Sequence, residues 1–415
     1  MGSARTQDRV RVVVTGLGMV SAAGTGVEAA WEMLLRGESA LAPIESFEAA
    51  AYGKQLGGEA RHLDRVPDLD RSFQLLDLAL DEVLDDAGWS DEQQGPGTGV
   101  VLGTSQGSID KAQSIHRQTL RRPQELPTAE DCQVFENYRP GAGTDRVAHR
   151  AGATGPSSTI GMVCVSSAVA LIHAADLLRR GVCDRVIAGG FEEFSQFVFT
   201  GFHCIGALAQ GPLRPFDEER DGTALGEAAV LVTLETLDSA RARGARIYAE
   251  LRGGGYAADA VHMTAPDREG RGLERAIRQA FVEASLGPAE VDYLCAHGTG
   301  TVFNDAMECE AFGRIFSELR ELGRMPPLSG MKSVFGHTLG AAGVLDAVMT
   351  ILCLSRGVLP PTVALKNPIE DWNFVPGQGS PPDGRLQIGL STNSAFGGNN
   401  SALLFERWSS EGEGL

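Results

Sequence analysis

The chain contains no Cys-x-x-Cys pair, no apolar run long enough to span a membrane and no surplus of positive charge. Its 7 cysteines are odd in number and widely spaced. That argues against a disulfide framework or a thiolate metal site, and for a reducing, cytoplasmic setting. Without a long apolar run, no membrane role is expected. The first nine residues, Met1 to Arg9, are polar and lack the apolar core of a secretory signal, so they are expected to form a short tail before the first strand. A formal charge of −18 excludes a general binder of nucleic acid or of anionic membranes. Gly16-Leu-Gly-Met-Val-Ser21 follows a strand as a dinucleotide loop does, but Ser21 stands where a third glycine belongs, and nucleotide binding is not expected. No internal repeat is visible by identity.

What is present is the composition of a globular protein, with 43% hydrophobic residues in 415, long enough for one large or two medium domains. Short apolar runs alternate with helical periodicity. Strands are expected at 11–15, 100–102, 186–188, 229–233, 247–251, 291–295, 386–390 and 402–405. Helices are expected at 27–36, 73–87, 168–180, 272–285 and 340–355. This alternation predicts an α/β fold. The segment from Gln113 to Arg150 is polar with weak periodicity, and reads as an excursion that caps a pocket or joins a subunit interface.

Three residues sit in glycine-rich segments of their own: Cys164 in Gly161-Met-Val-Cys-Val-Ser-Ser167, His297 in Ala296-His-Gly-Thr-Gly-Thr301, and His337 in Lys332-Ser-Val-Phe-Gly-His-Thr-Leu-Gly-Ala-Ala-Gly343. A lone cysteine is more often a small buried hydrophobe, and a lone His-Gly a turn. Three such residues, each beside small residues that let backbone approach a ligand, point instead to acyl chemistry. A thiol at a strand-to-helix turn accepts an acyl group as a thioester, and the helix dipole favours its thiolate. Two neutral imidazoles can donate hydrogen bonds to a developing enolate oxygen.

These segments resemble those of the β-ketoacyl-acyl-carrier-protein synthases, the elongating condensing enzymes of fatty-acid and polyketide assembly. The likeness extends through Val13-Val-Thr-Gly-Leu-Gly-Met-Val-Ser21, Gly155-Pro-Ser157, Gly206-Ala-Leu208, Arg214-Pro-Phe-Asp-Glu-Glu-Arg-Asp-Gly222, Leu225-Gly-Glu227 and Asn393-Ser-Ala-Phe-Gly-Gly398. It implies a thiolase-like fold of two pseudo-repeated βαβαβ halves in a five-layer α-β-α-β-α arrangement. Residues 1–245 would carry the cysteine and residues 246–415 both histidines. It implies catalytic roles for Cys164, His297, His337, Lys332 and Glu308, with Glu308 acting through Lys332 or water. Asp305 also falls at a family position. An oxyanion hole would form from the backbone N–H groups of Cys164 and Phe396. Thr299 and Thr301 would hydrogen-bond a pantetheine arm.

The resemblance also implies a gating loop of Ser394, Ala395, Phe396, Gly397 and Gly398. The family's loop usually carries two aromatics. Anchored on Gly397-Gly398, Phe396 matches the second and Ser394 the first, the gate. Anchored on Asn393-Ser394, Ala395 takes the gate position. Either way one aromatic is lost, and a more open or differently timed gate is expected. Met162, Val163, Val165 and Ser167 replace the family's smaller flanks and are expected to reshape the pocket floor.

No metal or resident cofactor is implied, since the phosphopantetheine belongs to the acyl carrier protein. The implied partners are that carrier and a second subunit, either a copy of this chain or a related ketosynthase or chain-length-factor chain. An acidic carrier calls for local basic residues, for which Arg61, Arg65, Arg71, Arg117, Arg121 and Arg122 are candidates. The implied reaction is a decarboxylative condensation. The alternatives are an acyltransferase or initiating synthase without elongation, and a structural subunit that determines chain length for a partner.

Overall fold

Strand β1 (Val12–Ser21) is buried at all ten positions. A strand hidden on both faces must have helices on each side. The computed structural model describes residues 9–409 apart from 54, 90–94, 96, 122–123, 125–127 and 376–385. The expected tail over 1–8 and Arg122 lie outside the described residues.

Besides the two-residue strand Gly24–Thr25 that pairs with the end of β1, nine further strands are described in the sheet: β2 (Thr98–Gly103), β3 (Ser157–Ile160), β4 (Arg185–Glu192), β5 (Ala228–Thr236), β6 (Ala249–Ala258), β7 (Tyr293–Ala296), β8 (Leu328–Gly330), β9 (Ile388–Ala395) and β10 (Asn399–Arg407). Their order is β8-β7-β9-β10-β6-β1-β5-β4-β2-β3. Outward from β1, the pairings to β5, β4, β2 and β3 run antiparallel, antiparallel, parallel, parallel. Outward from β6, the pairings to β10, β9, β7 and β8 run in the same sequence. The chain is therefore an internal repeat whose halves meet where Val13 pairs with Glu250 and Val14 with Ala249.

Helices complete five layers. The expected 27–36 helix is α1 (Val27–Arg36). On the outer face of the first half lies α2 (Arg71–Ala87), and on the outer face of the second lies α7 (Arg271–Ala284). Each is amphipathic, with an apolar stripe against its sheet. Both lie directly on strand backbone. A Cβ at Gly18 would come 2.2 Å from the Ala79 carbonyl oxygen, and one at Gly255 2.1 Å from that of Ala276. The glycines of the apparent dinucleotide loop therefore serve helix-on-sheet packing.

Between the half-sheets run α6 (Ser166–Arg179) and α9 (Ala342–Arg356), which are apolar around most of their circumference. The stretch Leu339–Arg356 is long and apolar enough by composition to cross a membrane, but 89% of it is buried inside this fold. The segment read as an irregular excursion is helical: α3 (Asp110–Arg121), α4 (Ala129–Asn137) and α5 (Ala142–Arg150). In α3 only Ala112 is buried, so its sequence carries little apolar periodicity. One further helix of the second half, α8 (Val302–Ile315), begins directly after the His297 loop.

Candidate active site

The strands β3, β7, β8 and β9 deliver their chemistry at their C-terminal ends, where ligands bind in open α/β sheets. Cys164 follows β3 in a single 3₁₀ turn, Val163–Val165, that leads into α6. Val163 has φ of 53°, a left-handed conformation that a β-branched residue adopts only when its surroundings enforce it. The enforcement is visible. The Ser166 hydroxyl donates to the Val163 carbonyl at 2.6 Å and accepts from the Met162 N–H at 2.8 Å. The second half repeats the device: the 3₁₀ turn Leu339–Ala341 leads into α9, and Leu339 has φ of 48°.

The turn holds the Cys164 sulfur in a cavity of about 310 Å³ lined also by His297, His337, Thr299, Thr301 and Phe396. His337 Nε2 lies 3.1 Å from the sulfur. The two imidazoles meet edge to face, 5.1 Å between ring centres. The backbone N–H groups of Cys164 and Phe396 point at the sulfur and favour its thiolate, as does the nearby Lys332 charge. Burial outweighs them and pushes the thiol up to about 12, so the thiolate expected from the helix dipole is not the resting form. Burial and the Lys332 charge hold both histidines well below the ordinary imidazole value. They are neutral at physiological pH.

Lys332 is buried and paired with the buried Asp346 at 3.0 Å. Glu308 feels the Lys332 charge, which favours its ionised form. Its carboxylate accepts the backbone N–H groups of His297 and Gly298, each at 2.7 Å, and so shapes the histidine loop. Burial raises Glu308 to about 8. Asp305 likewise accepts from Gly300 and, across the cavity wall, from the Phe216 N–H at 2.7 Å. The hydroxyls of Thr299 and Thr301 are 2.9 Å apart on the cavity wall.

The turn expected to act as a gate joins β9 to β10. Gly397 and Gly398 have φ of 83° and 73°, which explains glycine at both positions. Ser394 is buried, and its hydroxyl donates to Asn400 Oδ1 at 2.7 Å. Asn400 in turn donates to Asp259 at 2.8 Å. Ala395 packs against the apolar cluster around Cys164. Phe396 lines the cavity with Phe202 and Phe303, and it stacks on Phe202 with ring centres 5.4 Å apart. Phe202 supplies a second ring beside the one the loop retains. Met162, Val163, Val165 and Ser167 do not line the cavity, and Ser167 instead caps α9 by accepting the Val344 N–H at 3.0 Å.

Residues 9–240 match the Beta-ketoacyl synthase, N-terminal domain, and residues 248–366 match the Beta-ketoacyl synthase, C-terminal domain. The chain belongs to the β-ketoacyl synthase family. It is 32% identical to the 3-oxoacyl-[acyl-carrier-protein] synthase 2 of Coxiella burnetii, over 96% of this chain and 99% of that one. It is 34% identical to the oxytetracycline polyketide putative beta-ketoacyl synthase 1 of Streptomyces rimosus, over 96% of this chain and 98% of that one. Among solved structures, the ishigamide ketosynthase/chain length factor superposes with a TM-score of 0.87 at 31% identity, covering 97% of this chain and 100% of that one.

As β-ketoacyl synthase residues, two more stand out that the sequence reading missed. Asp346 neutralises Lys332, and Asn393 bridges Asp346 to His297. A signal for Asp346 exists in the sequence. It is the single acid in the otherwise apolar run from Gly340 to Leu354, and a buried acid needs a partner. Of the arginines considered for carrier docking, Arg71 is buried against Glu227 at 2.8 Å and cannot serve. Arg65 is engaged by Asp110 at 2.6 Å and Arg61 by Glu59 at 3.5 Å. Arg117 reaches Gln196 at 3.0 Å, and Arg121 is exposed.

Proposed function

We propose that this chain condenses a malonyl unit, delivered on an acyl carrier protein, with an acyl chain held on Cys164, giving a 3-oxoacyl thioester two carbons longer. The observation that carries this reading is the Cys164–His337 contact at 3.1 Å with His297 beside it, all three buried and both imidazoles neutral.

In the first half-reaction the Cys164 sulfur attacks the carrier-bound thioester carbonyl. Its proton passes by way of His337 Nε2 to the departing pantetheine sulfur. The carbonyl oxygen becomes an oxyanion between the N–H groups of Cys164 and Phe396. In the second, Thr299 and Thr301 hydrogen-bond the incoming pantetheine arm. His297 and His337 donate to the malonyl thioester oxygen, the bond to the carboxylate breaks and CO₂ departs. The enolate carbon then forms a bond to the Cys164 acyl carbonyl, the thioester bond to sulfur breaks, and the released Cys164 thiolate takes a proton from solvent to restore the thiol. Neutral imidazoles suit this step, because a donor without net charge stabilises the enolate without trapping the carboxylate that must leave.

The same reading divides the chain at 245/246, one half bringing the nucleophile and the other the histidines, and it assigns no resident cofactor. It includes a second subunit, a copy or a chain-length-factor relative, in keeping with the ketosynthase/chain length factor pairing of the ishigamide structure. Free cysteines, including the exposed Cys132 and Cys204, fit the reducing cytoplasm. The reaction serves fatty-acid or polyketide assembly, and the altered gating loop, which departs from the housekeeping pattern, favours a polyketide or polyene pathway. Supplying acyl-carrier and then malonyl-carrier tests the reading. A 3-oxoacyl-carrier is expected, whereas loading without elongation would support acyl transfer alone.

A further inference from the structure

Asn393, buried at the end of β9, touches two groups through one nitrogen. Its Nδ2 lies 2.8 Å from Asp346 Oδ2 and 3.2 Å from His297 Nδ1. Asp346 Oδ2 also receives Lys332 Nζ at 3.0 Å. A carboxylate beside an ammonium is ionised and can only accept. The amide must therefore present its NH₂ to Asp346, because the flipped amide would set two oxygens against each other. The amide oxygen, Oδ1, is buried without a partner, a cost borne because the flip is worse. With one N–H spent on Asp346, the other points at His297 Nδ1, which must then be the bare, accepting nitrogen.

We infer that Asn393 is a positioning residue that locks His297 in the Nε2–H tautomer. Lys332 fixes the charge on Asp346, Asp346 fixes the amide, and the amide fixes the imidazole. The lock leaves a hydrogen-bond donor permanently on the nitrogen away from Asn393. His337 has no such lock. Its Nδ1 has no partner among the described residues, and its Nε2 faces the sulfur. The two histidines thus differ in kind: His297 is a dedicated donor, while His337 is free to accept the Cys164 proton and later to donate. The catalytic consequence rests on the proposed condensation, but the tautomer itself does not.

The test is ¹⁵N NMR of the full chain labelled in histidine, with His297 assigned by comparison with a His297→Gln sample. Wild-type protein is expected to show His297 Nδ1 as an unprotonated, hydrogen-bonded nitrogen and Nε2 as protonated. Asn393→Asp puts an acceptor where the donor was, and should move the proton to Nδ1. Decarboxylation of malonyl-carrier should then fall by about 100-fold or more, while acyl loading of Cys164 proceeds. Loading on the same preparation reports that the variant is folded. If it is not, Asp346→Asn offers a second arm, in which the amide loses its reference charge and both tautomers should appear. A wild-type His297 protonated on Nδ1 would overturn the inference, and so would an Asn393→Asp variant that keeps the Nε2–H form. If the wild type shows Nε2–H yet never decarboxylates malonyl-carrier, the tautomer lock stands and the proposed reaction fails.

Discussion

His337 Nε2 reaches the Cys164 sulfur at 3.1 Å, although the two residues lie 173 positions apart and belong to opposite halves of the internal repeat. Neither half alone holds a reactive thiol. His337→Ala should slow acyl loading of Cys164 by about 100-fold or more, since a positioned proton acceptor is removed. The rate at which the adduct appears by mass spectrometry checks this, and an unchanged rate would remove His337 from the loading step.

Burial pushes the Cys164 thiol up to about 12. The reactive thiolate is therefore a minor species that grows as pH rises. Alkylation of Cys164 by iodoacetamide should accelerate about tenfold per pH unit between about pH 6 and pH 9, without a plateau. A plateau near neutrality would mean that the helix end and Lys332 outweigh burial.

Lys332 and Asp346 are each other's charge partner in a buried site. Removing one leaves the other unpaired, which costs far more than losing an exposed ion pair. Lys332→Met and Asp346→Leu should each lower unfolding free energy by about 3–5 kcal/mol, and the double variant should recover much of that loss. Urea unfolding of the three proteins reads the coupling. Additive losses would contradict a paired role.

The Ser394–Asn400–Asp259 chain of hydrogen bonds holds the turn that carries Phe396. Ser394→Ala should cost about 1 kcal/mol in stability and loosen that turn. Ser394→Phe must displace Asn400, and should change the relative loading of short and bulky acyl groups. Identical acyl profiles before and after would show that position 394 does not shape the site.

Much of this site was legible in the chain. Cys164, His297 and His337 announced themselves because glycines and small residues flank each, and the strand-to-turn placement of the thiol followed from the apolar run before it. The helices at 71–87 and 271–284 were legible within two residues because an amphipathic stripe leaves a period in the sequence. The internal repeat was not legible by identity and was implied only by the family resemblance. It is a repeat of strand order and of backbone conformation, as Val163 and Leu339 show, and different side chains satisfy it in each half. Asn393 was read as part of a gating motif, because nothing local distinguishes an amide that points inward from one that turns a loop. The backbone partners of Glu308 were not legible for a similar reason. A buried acid in α8 can be recognised by position, but whether it meets Lys332 or the His297 backbone depends on how the loop folds back over it.

The most direct test of the account is a single-turnover experiment on protein with an acyl group preloaded on Cys164. Malonyl-carrier is added, and the Cys164 adduct, released CO₂ and carrier-bound product are followed together. The account predicts that the adduct disappears in step with CO₂ release and with a 3-oxoacyl-carrier two carbons longer, and that Cys164→Ala protein does neither. CO₂ released while the adduct persists, or product formed by the Cys164→Ala protein, would contradict it.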